Sequence, residues 1–185
     1  KMPFSENDQV NHPISLYAAT KKANELMAHT YSHLYEIPST GLRFFTVYGP
    51  WGRPDMALFK FTKNIINGKP IQLFNYGKHV RDFSYIDDVV FYILSLTKKV
   101  PSKKLKVPFR ICNIGNNRPE KLLDYLKFIE MYLNKKAKIK NYTLQKGDVY
   151  KTHASMKQTW KIIKKKNHTS INDGIKNFIN WFKKF

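Results

Sequence analysis

The 185-residue chain is predicted to fold as an α/β protein. Segments rich in β-branched and aromatic residues alternate with segments of helical period, and Gly, Pro and Asn turns separate them. A composition that is 42% hydrophobic and 15% aromatic argues for a packed core and against disorder.

Residues 13–35 read as a helix. Pro13 suits a first helical turn, and Leu16, Ala19, Ala23, Leu26, Met27 and Leu34 recur at helical spacing. Ile37-Pro38 ends it. Residues 40–47 are β-branched and aromatic, a strand stopped by Tyr48-Gly49-Pro50. Residues 58–66 read as a second helix, with Gly68 past its end as a C-cap signal. Residues 71–74 form a short strand before the turn Asn75-Tyr76-Gly77. Residues 82–86 are extended, and Asp87 is placed to cap a helix over 88–96. A polar loop, 100–108, leads to a strand over 109–114 that ends in Gly115-Asn116-Asn117. A helix over 119–133 and a strand over 139–144 follow, and Ser155 is placed to cap a helix over 156–165. The last helix, 171–185, sets Ile171, Ile175, Phe178, Ile179 and Phe182 on one stripe. No strand precedes the first helix, which suggests that the sheet begins upstream of Lys1.

The net charge of +20 raises the possibility of a nucleic-acid-binding module. Residue type argues against it. Of the 33 basic residues, 28 are Lys and five are Arg, and specific readers of nucleic acid rely on the Arg fork. The lysines are also scattered, and Lys164-Lys165-Lys166 reads as a solvated helix end. No apolar run approaches the roughly 20 residues of a membrane span, and no signal peptide opens the chain. Cys112 is alone, and no metal-binding Cys/His spacing occurs. A reducing, cytoplasmic location fits.

Three constellations carry candidate chemistry. Tyr17-Ala18-Ala19-Thr20-Lys21 puts a phenol and an ammonium on one helix face, where a cation favours phenolate and makes a general base. The run Arg43-Phe44-Phe45-Thr46-Val47-Tyr48-Gly49-Pro50-Trp51-Gly52-Arg53-Pro54 is a strand entering a Gly/Pro loop. Ligands of open α/β sheets bind at such carboxyl ends. There Thr46 offers a hydroxyl and Arg53 an anion-binding fork, whereas Phe45 and Trp51 read as packing. In Arg81-Asp82-Phe83-Ser84-Tyr85-Ile86-Asp87-Asp88, Arg81 is placed to clamp a diphosphate, and the two terminal aspartates read as helix-start residues.

In this order, the three segments resemble the extended short-chain dehydrogenase/reductase superfamily. Tyr48-Gly-Pro-Trp-Gly-Arg-Pro-Asp-Met-Ala57, Phe74-Asn-Tyr-Gly-Lys78 and Gly147-Asp-Val-Tyr-Lys-Thr152 resemble the UDP-glucuronate 4-epimerases in particular. The resemblance spans the whole chain. It implies the C-terminal part of a Rossmann-type doubly wound parallel sheet, contributed by 1–50 and 82–115. A small α/β nucleotide-sugar-binding domain would come from 51–81 and 116–185. It implies NAD as cofactor, a UDP-sugar as substrate, and a homodimer built through a four-helix bundle that includes the Tyr-x-x-x-Lys helix. By the same resemblance Tyr17 is the catalytic base, and Lys21 supports it and bonds the nicotinamide ribose. Phe44 lies near the nicotinamide. Thr46 and Arg53 meet the sugar-acid end, Arg81 the diphosphate and Asp148 the uridine ribose, while the 71–74 edge frames the uracil. The implied reaction inverts C4 by transient oxidation with NAD; related dehydratases and decarboxylases are the alternative.

The chain departs from the family pattern in two ways. Ala154-Ser155 stands where Ala-Asp is usual. The Gly-x-x-Gly-x-x-Gly pyrophosphate turn and the catalytic Ser/Thr that precedes the tyrosine are not in these residues. The 185 residues are therefore expected to be inactive alone.

Overall fold

The computed structural model describes residues 1–184. Helices and strands alternate as the sequence predicts: α1 (Leu16–Tyr35), β1 (Ser39–Phe44), β2 (Thr46–Tyr48), α2 (Ala57–Ile66), β3 (Ile71–Leu73), β4 (Val80–Tyr85), α3 (Ile86–Thr97), β5 (Phe109–Ile114), β6 (Pro119–Lys121), α4 (Leu122–Leu133), β7 (Ile139–Asn141), α5 (Lys157–Ile162) and α6 (Ile171–Phe182). Three of the four strand pairings are parallel, namely β1 with β5, β2 with β4 and β3 with β7; β6 runs antiparallel to β4.

The strand expected over 40–47 divides at Phe45. Its first part pairs with β5, and Thr46 and Val47, together with Tyr48 just beyond, pair with β4, so one segment links two pairings. Phe45 still donates its N–H to the Ile114 carbonyl, which keeps the hinge hydrogen-bonded. β4 is extended two residues earlier than expected and lies between β2 and β6. That position puts Arg81 and Asp82 inside the structure rather than on an edge.

Several helix starts differ from those expected. α1 begins after Ser15, whose Oγ accepts the Ala18 N–H, not at Pro13. Asp87 does not cap α3. The cap position is Tyr85, and Asp87 and Asp88 occupy the first turn, where carboxylates suit the helix dipole. Ser155 caps nothing. Its N–H bonds the Phe4 carbonyl and its own carbonyl accepts from Asn113, so α5 starts later and without a side-chain cap. Residues 119–121 pair with β4 instead of opening α4. The strand expected over 139–144 is confined to β7, and α5 stops at Ile162. The lysine run therefore lies beyond the helix, and Lys166 bonds buried Asp88 at 2.7 Å. The last helix ends at Phe182, and Phe185, its expected final residue, lies outside the described residues.

Two apolar clusters form. One gathers α2, α4 and α6 around Tyr48, Phe83 and Tyr85; the other sets Val89, Tyr92 and Leu96 of α3 against Cys112, Ile114, Ala154 and Met156. Both draw residues from both expected domains. In α6, Ile175, Phe178 and Ile179 are buried as the stripe predicts, each side chain contributing about 1.5–3 kcal/mol. Gly174 lets this helix approach, because a Cβ there would stand 2.1 Å from Tyr48 Oη. Gly174→Ala should therefore destabilise the fold by about 1–3 kcal/mol through overpacking, although helix propensity alone favours Ala by about 1 kcal/mol. Urea unfolding measures the sign, and a stabilised variant would show that Tyr48 can move aside.

The apolar stripe of α1 remains largely exposed, with Leu16, Leu26, Met27 and Leu34 all open to solvent. The helix leans on the sheet through polar and aromatic groups instead. Glu25 takes both Arg43 Nε (2.6 Å) and Arg43 Nη2 (2.9 Å), and the His29 ring meets Phe109 edge-on. The Arg43 guanidinium holds the Glu25 carboxyl below its ordinary value.

Candidate active site

A cleft of about 640 Å³ opens between the start of β2, the first half of β4 and the start of α2. This size suits a small-molecule ligand. Thr46, Arg81 and Asp148 line it, with Lys60, Asn64, Gln72, Phe74 and His79. Three of the four expected substrate contacts thus share one wall, although more than 100 residues separate Thr46 from Asp148. The fourth, Arg53, lines a smaller recess that shares Thr46, Met56, Ala57 and Phe83 with the cleft.

Arg81 is the most constrained of these groups. Its Nη2 donates to Asp148 Oδ1 at 2.9 Å and its Nη1 to the Tyr150 carbonyl at 3.1 Å. Burial pulls its pKa down, opposed by Asp148. Asp82, next in the strand, makes this arrangement possible. It is fully buried, and its two carboxylate oxygens accept the N–H groups of Asn116 (2.6 Å) and Ala154 (2.9 Å). The Asp82 N–H faces Thr152 Oγ1 at 3.2 Å. One side chain therefore ties the turn after β5 and the segment carrying Asp148 to the same strand. Burial pushes its carboxyl pKa up, and the two backbone donors act against that rise.

Arg53 is exposed and forms a forked pair with Asp55 two residues on. This carboxylate, with the Tyr17 phenol as a lesser contribution, holds the guanidinium pKa up. Tyr17 does not line the cleft. Its ring is 72% exposed at the start of α1, with Lys21 Nζ 5.3 Å from the ring centroid, so the two share a helix face as predicted. Phe44, at the end of β1, is half exposed. The structure thus gathers the candidate substrate residues, and it leaves Tyr17, Lys21 and Phe44 facing outward.

Sequence reasoning missed Asp82, Asp88 and His79. Asp88 accepts from the Thr169 N–H at 2.7 Å and from Lys166, which ties α3 to the segment before α6. His79 gave no local signal: it precedes β4, and only the fold sets it against Asp148 at 3.0 Å. Among the described residues no group of His, Cys, Asp and Glu could hold a metal ion, and no helix is long and apolar enough to cross a membrane.

The model of the NAD dependent epimerase/dehydratase family matches residues 1–115. The chain belongs to this family. Among its relatives, a probable UDP-glucuronate 4-epimerase of Rhizobium meliloti is 43% identical over 195 residues, covering 98% of this chain and 57% of that protein. Protein CapI of Staphylococcus aureus is 52% identical, covering 97% of this chain and 58% of CapI. Among solved structures, UDP-glucuronic acid 4-epimerase from Bacillus cereus, in complex with UDP-glucuronic acid and NAD, superposes with a TM-score of 0.88 at 29% identity. The match covers all of this chain and 57% of that one. The chain therefore spans little more than half the length of these relatives. The family's Rossmann-type architecture agrees with the parallel pairings of β1 with β5 and β2 with β4.

Proposed function

We propose that this chain is the substrate-binding portion, with the catalytic base, of an NAD-dependent enzyme that interconverts UDP-glucuronate and UDP-galacturonate. The observation that carries this reading is the single cleft that gathers Thr46, Arg81 and Asp148, with Arg53 in the adjoining recess. Arg81 and Lys60 supply positive charge for a diphosphate, Asp148 an acceptor for ribose hydroxyls, and Thr46 with Arg53 a hydroxyl and a fork for the sugar carboxylate. The relatives whose names state UDP-glucuronate 4-epimerase activity support the same substrate. Residues 51–81 with 116–185 form the sugar-nucleotide part on this reading, and 1–50 with 82–115 belong to the cofactor part.

The residues present fit the nicotinamide end of NAD. Tyr17, Lys21 and Phe44 are all exposed, which leaves them accessible to a bound group. When bound, NAD supplies reversible oxidation at the sugar C4. Tyr17 takes the proton from O4 as the carbonyl forms and returns it to that oxygen afterwards. Lys21 stabilises the phenolate. Arg81 and Asp148 hold the nucleotide fixed while the sugar turns, and Arg53 keeps the uronate near Thr46. The exposed stripe of α1 supports a homodimer through this helix, and the buried lone thiol of Cys112 suits a reducing cytoplasm.

The test is to join the chain to the N-terminal segment of the Rhizobium meliloti relative and supply NAD with UDP-glucuronate. UDP-galacturonate is the expected product, and the protein should sediment as a dimer. A dehydrated or decarboxylated sugar nucleotide would overturn the reaction assigned here.

A further inference from the structure

We propose that His79 is a positioning residue of the cleft, one that takes up a proton and holds Asp148 when a nucleoside diphosphate settles against Arg81. The inference rests on the UDP-sugar reading above. His79 is buried in the cleft wall, immediately before β4, and lines the cleft together with Arg81. Its Nε2 lies 3.0 Å from Asp148 Oδ2, at an angle that misses hydrogen-bonding geometry. The other carboxylate oxygen, Oδ1, accepts from Arg81 Nη2 at 2.9 Å and from the Val149 N–H at 2.8 Å. Asp148 therefore stands between two cationic or potentially cationic groups and is aligned on only one of them.

The surroundings of the ring define its charge. Two acceptors face it, the Asp148 carboxylate and the Phe74 backbone carbonyl, and both favour the protonated form. A neutral imidazole has one N–H, so only imidazolium satisfies both acceptors. Burial acts most strongly against that form, followed by the positive charge of Arg81. The net effect holds the His79 pKa below its ordinary value and the ring neutral at pH 7. From α4 the nearest contact is the Leu122 N–H, which bonds the His79 carbonyl and adds no charge.

A diphosphate in the cleft shifts this balance twice. Its negative charge offsets Arg81, removing the second of the opposing influences. By engaging the Arg81 fork it also frees Asp148 to align on His79 Nε2. Both changes raise the pKa of the ring, so binding draws a proton from solvent and affinity rises as pH falls. The gain appears between the higher pKa of the liganded ring and the lower pKa of the free one.

The experiment is isothermal titration of the chain with UDP-glucuronate at pH 6.0 and 7.5, in buffers of different ionisation enthalpy. Free UDP is avoided because its terminal phosphate itself titrates near pH 6. Net proton uptake approaching one per ligand at pH 6.0 is expected, with affinity about threefold to tenfold tighter than at pH 7.5. His79→Gln keeps a donor toward Asp148 and cannot titrate. It should still bind, with the uptake and the pH dependence gone. NMR of the His79 ring gives a second readout, a pH midpoint that rises on binding. Binding without proton uptake, or uptake that survives in His79→Gln, would overturn the inference and leave the substrate reading intact. No UDP-glucuronate binding by the unsubstituted chain, shown folded by circular dichroism, would overturn the substrate reading and this inference with it.

Discussion

Tyr17→Phe should lower turnover at least about a hundredfold in the protein completed with a relative's N-terminal segment, the usual scale for removing a general acid/base group. The position makes this a clean test. Tyr17 is 72% exposed, so losing its hydroxyl empties no cavity and breaks no core contact. Stability and UDP-glucuronate affinity should therefore stay close to those of the parent while kcat falls. Lys21→Met should also slow turnover, by less, because the hydroxyl remains while its cationic neighbour, 5.3 Å from the ring centroid, is gone. Near-normal turnover of Tyr17→Phe would remove Tyr17 from the mechanism and direct attention to a base in another part of the protein.

Arg81→Ala should weaken UDP and UDP-glucuronate alike, by about tenfold to a hundredfold, the range for a lost charge-assisted hydrogen bond. The guanidinium also holds Asp148 and the Tyr150 carbonyl, so this loss includes the release of a second side chain that lines the cleft. Arg81→Lys keeps the charge without the fork and should fall between the two. Arg53→Ala should leave UDP affinity largely unchanged and weaken UDP-glucuronate by about tenfold. Its present partner, Asp55, shares its exposed loop, so the fork can exchange that carboxylate for a substrate's at little cost. Equal losses for the two ligands in both variants, read by calorimetry, would refute this division between diphosphate and sugar acid.

Tyr17, Lys21, Arg53 and Arg81 are legible in the sequence because their signals are local, whereas Asp148 was singled out only by the family resemblance. Tyr17 and Lys21 share a face through helix geometry alone, and Thr46 lies where a strand meets a Gly/Pro loop. Asp82 and Asp88 gave no such signal. Asp82 reads as an ordinary strand residue and Asp88 as one beside a helix start, and each is met by backbone N–H groups from distant segments: Asn116 and Ala154 for Asp82, Thr169 for Asp88. Ser155 failed as a cap for the same reason, since its backbone is held by Phe4 and Asn113. A local capping preference of about 1 kcal/mol yields to such contacts.

By itself the sequence determined the α/β alternation, the apolar stripe of α6 and the shared face of Tyr17 and Lys21. All of these depend on periodicity and side-chain chemistry within a few residues. Only the tertiary structure decided that the segment over 40–47 divides at Phe45 between two pairings, that the α1 stripe stays exposed, and that His79 stands against Asp148. Each depends on which distant strand or loop arrives alongside. That is set by the packing of the whole chain, in which β4 lies between β2 and β6 and carries the cleft wall with it.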